Sequence, residues 1–347
     1  MGKIIIIPTL LLALSFVTGC STLSYYGQAI DGQLEINQKQ EKNKILLADP
    51  ETPKELKRKL ALIAEITAFA DSQLDLPAGK NYTSYADLNR PHVVWTVFAA
   101  PDFSLEPKKW WYPFVGELSY RGYFAEQDAR TEADALRAKG YDVFIAEVDA
   151  YSTLGWFNDP VLNTFVHDPD TDLAELIFHE LTHRKIYLSG ETNFNEALAT
   201  AVAEEGVRRW LKSRNQTTEL MRYERDLKRR RTVFALIDDT RKKLEILYAR
   251  PNLTEAEKRV QKQALLDSLA QRHRSLLISW SDGEPLNRDP IAEIEVNNAF
   301  LNAVDTYHRM VPEFETLFVA YNEDFPTFFK NIKRHRRSMT PPPHTSR

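Results

Sequence analysis

The chain has 347 residues, one cysteine, 43% hydrophobic residues and a formal charge of −4. That length supports one large or two medium domains with a substantial core, and the mild negative balance argues against nucleic acid as a partner. A single cysteine excludes an internal disulfide, which leaves stability to the core and to any bound metal.

Residues 1 to 19 read as a targeting segment. Lys3 gives a short positive end, and Ile4 to Val17 form a largely apolar run of signal-peptide length, too short for a comfortable membrane span. Val17-Thr18-Gly19-Cys20 fits a lipobox, at which Cys20 is lipidated and becomes the first mature residue. Two or three acyl chains hold a protein on a membrane durably where one does not. Cleavage there leaves 328 residues (347 − 19) and a charge of −5, because Lys3 is the only charged residue removed. The expected location is therefore the cell envelope, with a lipid-anchored protein. Ser21, rather than Asp, after the cysteine favours the periplasmic face of the outer membrane in a host with two membranes.

Residues 20 to 73 read as a helical segment. Thr52-Pro53-Lys54-Glu55 has the pattern of a capping box, and Leu56, Leu60, Ile63 and Phe69 follow at nearly helical spacing. Residues 74 to 215 change character. Val93 to Phe98 and Asp142 to Val148 predict strands, separated by a charged helix near Glu126 to Lys139 that ends at Gly140. Tyr120 to Phe124 (YRGYF) reads as a loop offering Arg121 and two tyrosines to a substrate carboxylate or a tetrahedral intermediate. Arg121 would serve equally as a structural ion-pair partner, and His92 reads as a structural histidine. Tyr151 to Phe157 contains Gly155 and Trp156, which suit backbone pairing with an extended substrate and a side-chain pocket; a turn covering the core fits the same residues.

The densest chemistry lies at Phe178-His179-Glu180-Leu181-Thr182-His183, with Asn195-Glu196 following thirteen residues after the second histidine. On a helix over 172 to 188, His179 and His183 are one turn apart on one face and can share a metal ion. Glu180 is then offset by about 100° and lies beside the ion, where a base for an activated water belongs. Zinc in a catalytic site takes three protein ligands and keeps one position open. Glu196, on a second helix over 193 to 206, is the natural third ligand, and Ala197, Ala199, Ala201 and Ala203 allow the two helices to approach closely. Asp172-Leu-Ala-Glu175 reads as a capping box and Ser189-Gly190 as the helix end, with Asn195 capping the next helix. Thr200 and Glu204, one and two turns beyond Glu196, are candidates for orienting a ligand histidine.

Residues 216 to 290 carry dense mixed charge with apolar residues at helical spacing, broken at Arg250-Pro251-Asn252, with Thr254 starting another helix. This reads as a protruding helical hairpin, either an arm for a protein partner or a lid. Residues 291 to 333 predict further helices packing on the core. Tyr307 and His308 there are candidate donors to an oxyanion. The basic, Pro-rich stretch 334 to 347 predicts a disordered tail.

The FHELTH and FNEALATAVAEEG segments resemble the gluzincin metallopeptidases. With TSYADLNRPHVVWTVFAAPDFSL, YRGYF, AYSTLGWFNDP and VNNAFLNAVDTYH, residues 25 to 333 resemble a bacterial family of predicted lipoprotein aminopeptidases. That family often carries cysteines around the segment WWYPFVGELSY, and this chain has none. The resemblance implies an α+β, mostly helical protein with a zincin-like catalytic core, a small sheet and a helical C-terminal region. It implies Zn2+ on His179, His183 and Glu196, Glu180 as general base, and a peptide as substrate. An aminopeptidase also needs acids for the substrate's ammonium group, and Glu117, Glu147 and Asp149 are available. Endopeptidase action, or an envelope scaffold with a structural zinc, would use the same ligand motif.

Overall fold

A computed structural model describes residues 20–112, 115–150, 153, 157–280, 289, 291 and 294–339, with side chains from 24 to 335. Gly155 and Trp156 lie outside the described residues, as does the side chain of Cys20. In chain order the first half contains α1 (Cys20–Gln38), β1 (Gln40–Lys42), α2 (Asn43–Ala48), α3 (Lys54–Gln73), β2 (Ser84–Ala86), β3 (Val94–Pro101), β4 (Trp110–Tyr112), β5 (Gly116–Leu118), β6 (Tyr120–Tyr123), α4 (Glu126–Arg137), β7 (Tyr141–Val148) and β8 (Val161–Leu162). The second half is helical: α5 (Asp170–Lys185), α6 (Thr192–Ser213), α7 (Thr217–Tyr248), α8 (Glu255–Ser279), α9 (Asn298–His308), α10 (Val311–Ala320) and α11 (Phe325–Met339). The protein is α+β and mostly helical, and no helix among the described residues is long and apolar enough to cross a membrane.

The main sheet is antiparallel in the order β6-β3-β7, with Trp95 opposite Tyr123 and Glu147, and Phe98 opposite Tyr120 and Phe144. Side chains alternate across a strand, so each face has its own partner. Trp95, Val97 and Val143 pack on Ala129, Ala133 and Leu136 of α4. Phe98 packs on Ala299 and Ala303 of α9, with Tyr120, Phe144 and Ala146 at the margin. A second small sheet, β1-β2-β8, ties the N-terminal segment to the chain just before α5.

The largest core joins α3, α5, α6 and α11 through residues such as Ile63, Ile177, Phe178, Leu198, Val207 and Phe328. Several helix ends differ from the sequence expectations. Pro53 and Pro169 occupy the N-cap positions of α3 and α5 with no side-chain cap, so neither expected capping box forms. Glu175 is instead drawn off by Arg230, and Asp170 holds the start of α5 to Lys59 at 2.8 Å. Thr254 does form its box, accepting from Glu257 N while Glu257 accepts from Thr254 N.

The hairpin of α7 and α8 does not protrude. Val233, Ile237, Leu244 and Leu269 are buried with Leu105 from the loop after β3 and with Phe300 and Leu301 of α9. Lys262, 6% exposed, bonds both Asp102 and Asp142 at 2.7 Å. A buried ammonium is tolerable only when paired in this way, and the pairing pins α8 to the sheet. The C-terminal region also differs from expectation, since α11 continues six residues beyond Lys333 to Met339. Residues 340–347 are outside the described chain.

Gly206 of α6 lies against α5 so closely that a Cβ would stand 2.7 Å from Phe178 Cδ2 and 2.9 Å from Leu74 Cδ1. Both neighbours are fully buried and have no room to retreat. Gly206→Val should therefore cost about 1–3 kcal/mol by overpacking. Denaturant unfolding checks it, and an unchanged midpoint would show that α5 and α6 are not in this contact.

Candidate metal centre

Helices α5 and α6 are joined by six residues, and Asn195 closes this connection. Its side chain accepts from Leu188 N at 2.9 Å and donates to Leu188 O at 2.8 Å. Asn195 is thus not the helix cap expected from the sequence. The helix begins at Thr192 after an N-cap at Glu191, and the asparagine sits inside its first turn as a latch on the loop. Glu196 then falls in the second turn. Helix α5 ends at Lys185, before Ser189-Gly190, and Gly190 takes the left-handed conformation (φ 76°) in the loop itself.

This packing brings three donor atoms together. His179 Nε2 and His183 Nε2 are 3.1 Å apart, and Glu196 Oε2 is 3.2 Å from the first and 3.3 Å from the second. Ligands at about 2.0–2.1 Å from a tetrahedral ion are separated by about 3.3 Å, so the three atoms have the spacing of one face of such a coordination sphere. His183 and Glu196 are buried, and His179 is 17% exposed. Among the described residues no fourth His, Cys, Asp or Glu joins the group, which could hold a metal ion. The donor set of two imidazoles and one carboxylate suits zinc. His183 Nδ1 is buried without a hydrogen-bond partner.

The electrostatics follow from burial and mutual charge. Burial alone would raise the Glu196 carboxyl, but His183 and His179 outweigh it and hold the group well below the usual carboxylate range. Burial would lower His183, and Glu196 and Glu180 reverse that to raise it. Glu180, also buried, is raised above the ordinary glutamate value by loss of water, tempered by the two histidines and reinforced by Glu196 and Asp159. A carboxylate pushed upward in this way is suited to taking and returning a proton.

Three tyrosines surround Glu196. Burial, then the charge of Glu196, pushes the phenols of Tyr307 and Tyr120 well above their usual range, and the same two causes bring Tyr187 to about 12. All three therefore remain hydrogen-bond donors. The ring of Tyr307 stacks on His179 at 6.2 Å between centroids. Its neighbour His308 is turned elsewhere, stacked on Phe234 at 3.6 Å.

Other expected site residues are placed differently. Arg121 is on β6, not in a loop, and the alternation of the strand carries it to the face away from Tyr120. There it lies 3.9 Å over the Tyr25 ring and 3.9 Å from Glu132. Tyr120 is the YRGYF residue that faces Glu196, and strand alternation would have identified it once the segment was read as a strand. Thr200 donates to the backbone carbonyl of Glu196 at 2.9 Å. Glu204 binds Arg231 at 2.6 Å. Neither hydrogen-bonds a histidine ring among the described residues. Glu147 and Asp149 bind the two nitrogens of His92, and Glu117 lies near Lys109, so all three candidate ammonium-binding acids are engaged elsewhere.

Sequence reasoning missed the ion network behind the cluster. Glu175, one turn before His179, accepts from both terminal guanidinium nitrogens of Arg230, at 3.0 and 3.2 Å, and from the Tyr223 hydroxyl at 2.9 Å. Arg231, beside it, joins Glu204 of α6 to Glu315 of α10, at 2.6 Å each. One segment of α7 is thereby attached to both helices that carry His179, His183 and Glu196.

His308 lies against this network. Burial first, then Arg230, His179 and Arg231, lowers it from the ordinary 6.5 to about 3, so it is neutral in the fold. Below pH 6.5 the unfolded chain takes a proton that the folded one refuses, and stability falls by about 1.4 kcal/mol per pH unit until about pH 3. His308→Gln should flatten that dependence between pH 6 and pH 4 in denaturant titrations of metal-free protein. An identical slope in parent and variant would show that His308 is not buried as a neutral group.

Neither a curated protein nor a solved structure matches the chain significantly. A family described as "Putative aminopeptidase" matches residues 24–341, which takes in α5, α6 and the tyrosines around them, and the chain belongs to that family.

Proposed function

We propose that the protein is a zinc-dependent peptidase, acting as an aminopeptidase and tethered to the cell envelope by lipid on Cys20. The observation that carries this reading is the His179, His183 and Glu196 triangle, which has metal-ligand spacing and only three protein donors among the described residues. A structural zinc is normally closed by four protein ligands, so the three-donor site favours catalysis over a scaffold role. When bound there, zinc supplies Lewis acidity, polarising a peptide carbonyl and lowering the pKa of a water toward about 7.

The remaining chemistry belongs to the chain. Glu180 takes a proton from the attacking water and delivers it to the departing amine nitrogen. Its raised affinity for protons, from burial, keeps it able to do both. Tyr307 and Tyr120 keep their phenolic protons beside Glu196 and offer donors to the oxygen on which charge develops, an effect worth about 3 kcal/mol per donor. On this reading the peptide is an envelope peptide, and the periplasmic face of the outer membrane is the site of action in a two-membrane host.

Metal analysis of the purified protein should give one zinc per chain, lost in Glu196→Ala. Glu180→Ala should keep the zinc and lose turnover of a peptide library by at least about a hundredfold. Equal turnover in Glu180→Ala and parent would remove Glu180 as the base, and a parent without metal that still cleaves would remove the zinc mechanism. Aminopeptidase action depends on the free amine, so N-acetylated peptides should resist cleavage. If acetylated and free peptides are cut alike, the enzyme is an endopeptidase, a result consistent with the other engagements of Glu117, Glu147 and Asp149.

A further inference from the structure

Helix α1 has two unlike faces. The inner face is fully used. Tyr25 meets the Tyr123 ring edge-on at 5.6 Å and lies under the Arg121 guanidinium. Gly32 sits so close to Phe124 that a Cβ would stand 2.1 Å from the ring Cγ, and Ile36 is 1% exposed. The outer face carries Tyr26, Ile30 and Leu34, spaced by four residues and exposed by 36, 59 and 48%. This is a continuous apolar stripe two turns long. Asp31 is the only charged residue from Cys20 to Leu34.

The chain upstream indicates what covers the stripe. The apolar run Ile4 to Val17 ends three residues before Cys20, where α1 begins. With Cys20 lipidated, as proposed above, the start of α1 is held at a membrane surface. Ile30 is about 15 Å and Leu34 about 21 Å along the helix axis from Cys20, at the usual rise per residue. The polar layer of a bilayer is only about 5–8 Å deep on each side. A helix standing upright would hold Ile30 and Leu34 in water, whereas one lying flat puts all three side chains at the boundary of headgroups and acyl chains.

We infer that α1 lies along the bilayer, with Tyr26, Ile30 and Leu34 inserted at this boundary as a second membrane contact. This rests on the proposed membrane tether. A tyrosine at one end suits the interface, where its ring is apolar and its hydroxyl wet. Because the stripe is apolar, the contact should be insensitive to salt and to anionic lipid. The contact also orients the metal centre. Arg121 and Tyr123, which hold α1, alternate along β6 with Tyr120, which faces Glu196. The strand therefore stands between the lipid-facing helix and the cluster.

The test uses the full-length chain in vesicles of phosphatidylethanolamine and phosphatidylglycerol, with a nitroxide at Ile30→Cys, Leu34→Cys or, as a remote control, Val260→Cys (72% exposed in the native residue). Cys20 is the only native cysteine, and its thiol is consumed if it is lipidated; mass spectrometry establishes the labelled position in each case. Flotation first reports the tether. Among floating samples, the ratio of oxygen to nickel-chelate collision should be several-fold higher at positions 30 and 34 than at 260, unchanged at high salt. Labels at 30 and 34 as aqueous as the one at 260 would overturn the surface contact and leave the tether standing. Strong dipolar coupling between labels at position 30 would overturn it in favour of a second copy of the chain. Failure to float would remove the tether and the contact together.

Discussion

The structure depends on the price of taking one carboxylate out of water. Glu196 is 7% exposed, and an ionised carboxylate in that setting is sustained only by positive charge within a few ångströms. Two imidazoles stand 3.2 and 3.3 Å from it, and a divalent ion in the same place would supply that charge. The group is stable in proportion to how well α5 and α6 hold their spacing. Gly206 against Phe178, the run of alanines from Ala197 to Ala203, and the Asn195 latch all serve that spacing.

Rigidity is reinforced from behind. The Glu175–Arg230 pair has both side chains nearly out of solvent, at 14 and 12% exposure. Such a pair adds little net stability against an apolar replacement, but removing one partner leaves a buried charge that costs about 3–5 kcal/mol. Its effect is therefore to permit only one seating of α7 on the helix that carries His179. The paired Arg231, reaching Glu204 and Glu315, applies the same restriction to α6 and α10. The triangle of His179, His183 and Glu196 is thus supported by a charged layer that never touches it.

The parts legible in sequence were those governed by local periodicity. The two histidines four apart, the β-branched runs of β3 and β7, and the Thr254 cap each follow from a single turn or strand. What stayed hidden was set by contacts between distant segments. Asp172 and Glu175 look like a cap, yet Arg230, 55 residues away, captures Glu175. Reading YRGYF as a loop selected Arg121, and only the strand register shows that Tyr120 faces inward. The hairpin seemed to stand in solvent because charge dominates its composition, although Val233, Ile237, Leu244 and Leu247 already mark one buried stripe.

The Lys262 bridge has a consequence for the order in which the molecule assembles. It joins α8 to Asp102 across 160 residues, and to Asp142 across 120. Contacts this distant in sequence form more slowly than local ones, so the sheet and α4 can form before α8 docks. Until it does, the rim of the sheet holds two carboxylates with no cation between them, and the apolar stripe of the hairpin has no cover. One cysteine allows no internal disulfide between these segments, so the Lys262 pairs and the apolar contacts of α7 and α8 are what fasten the hairpin to the sheet.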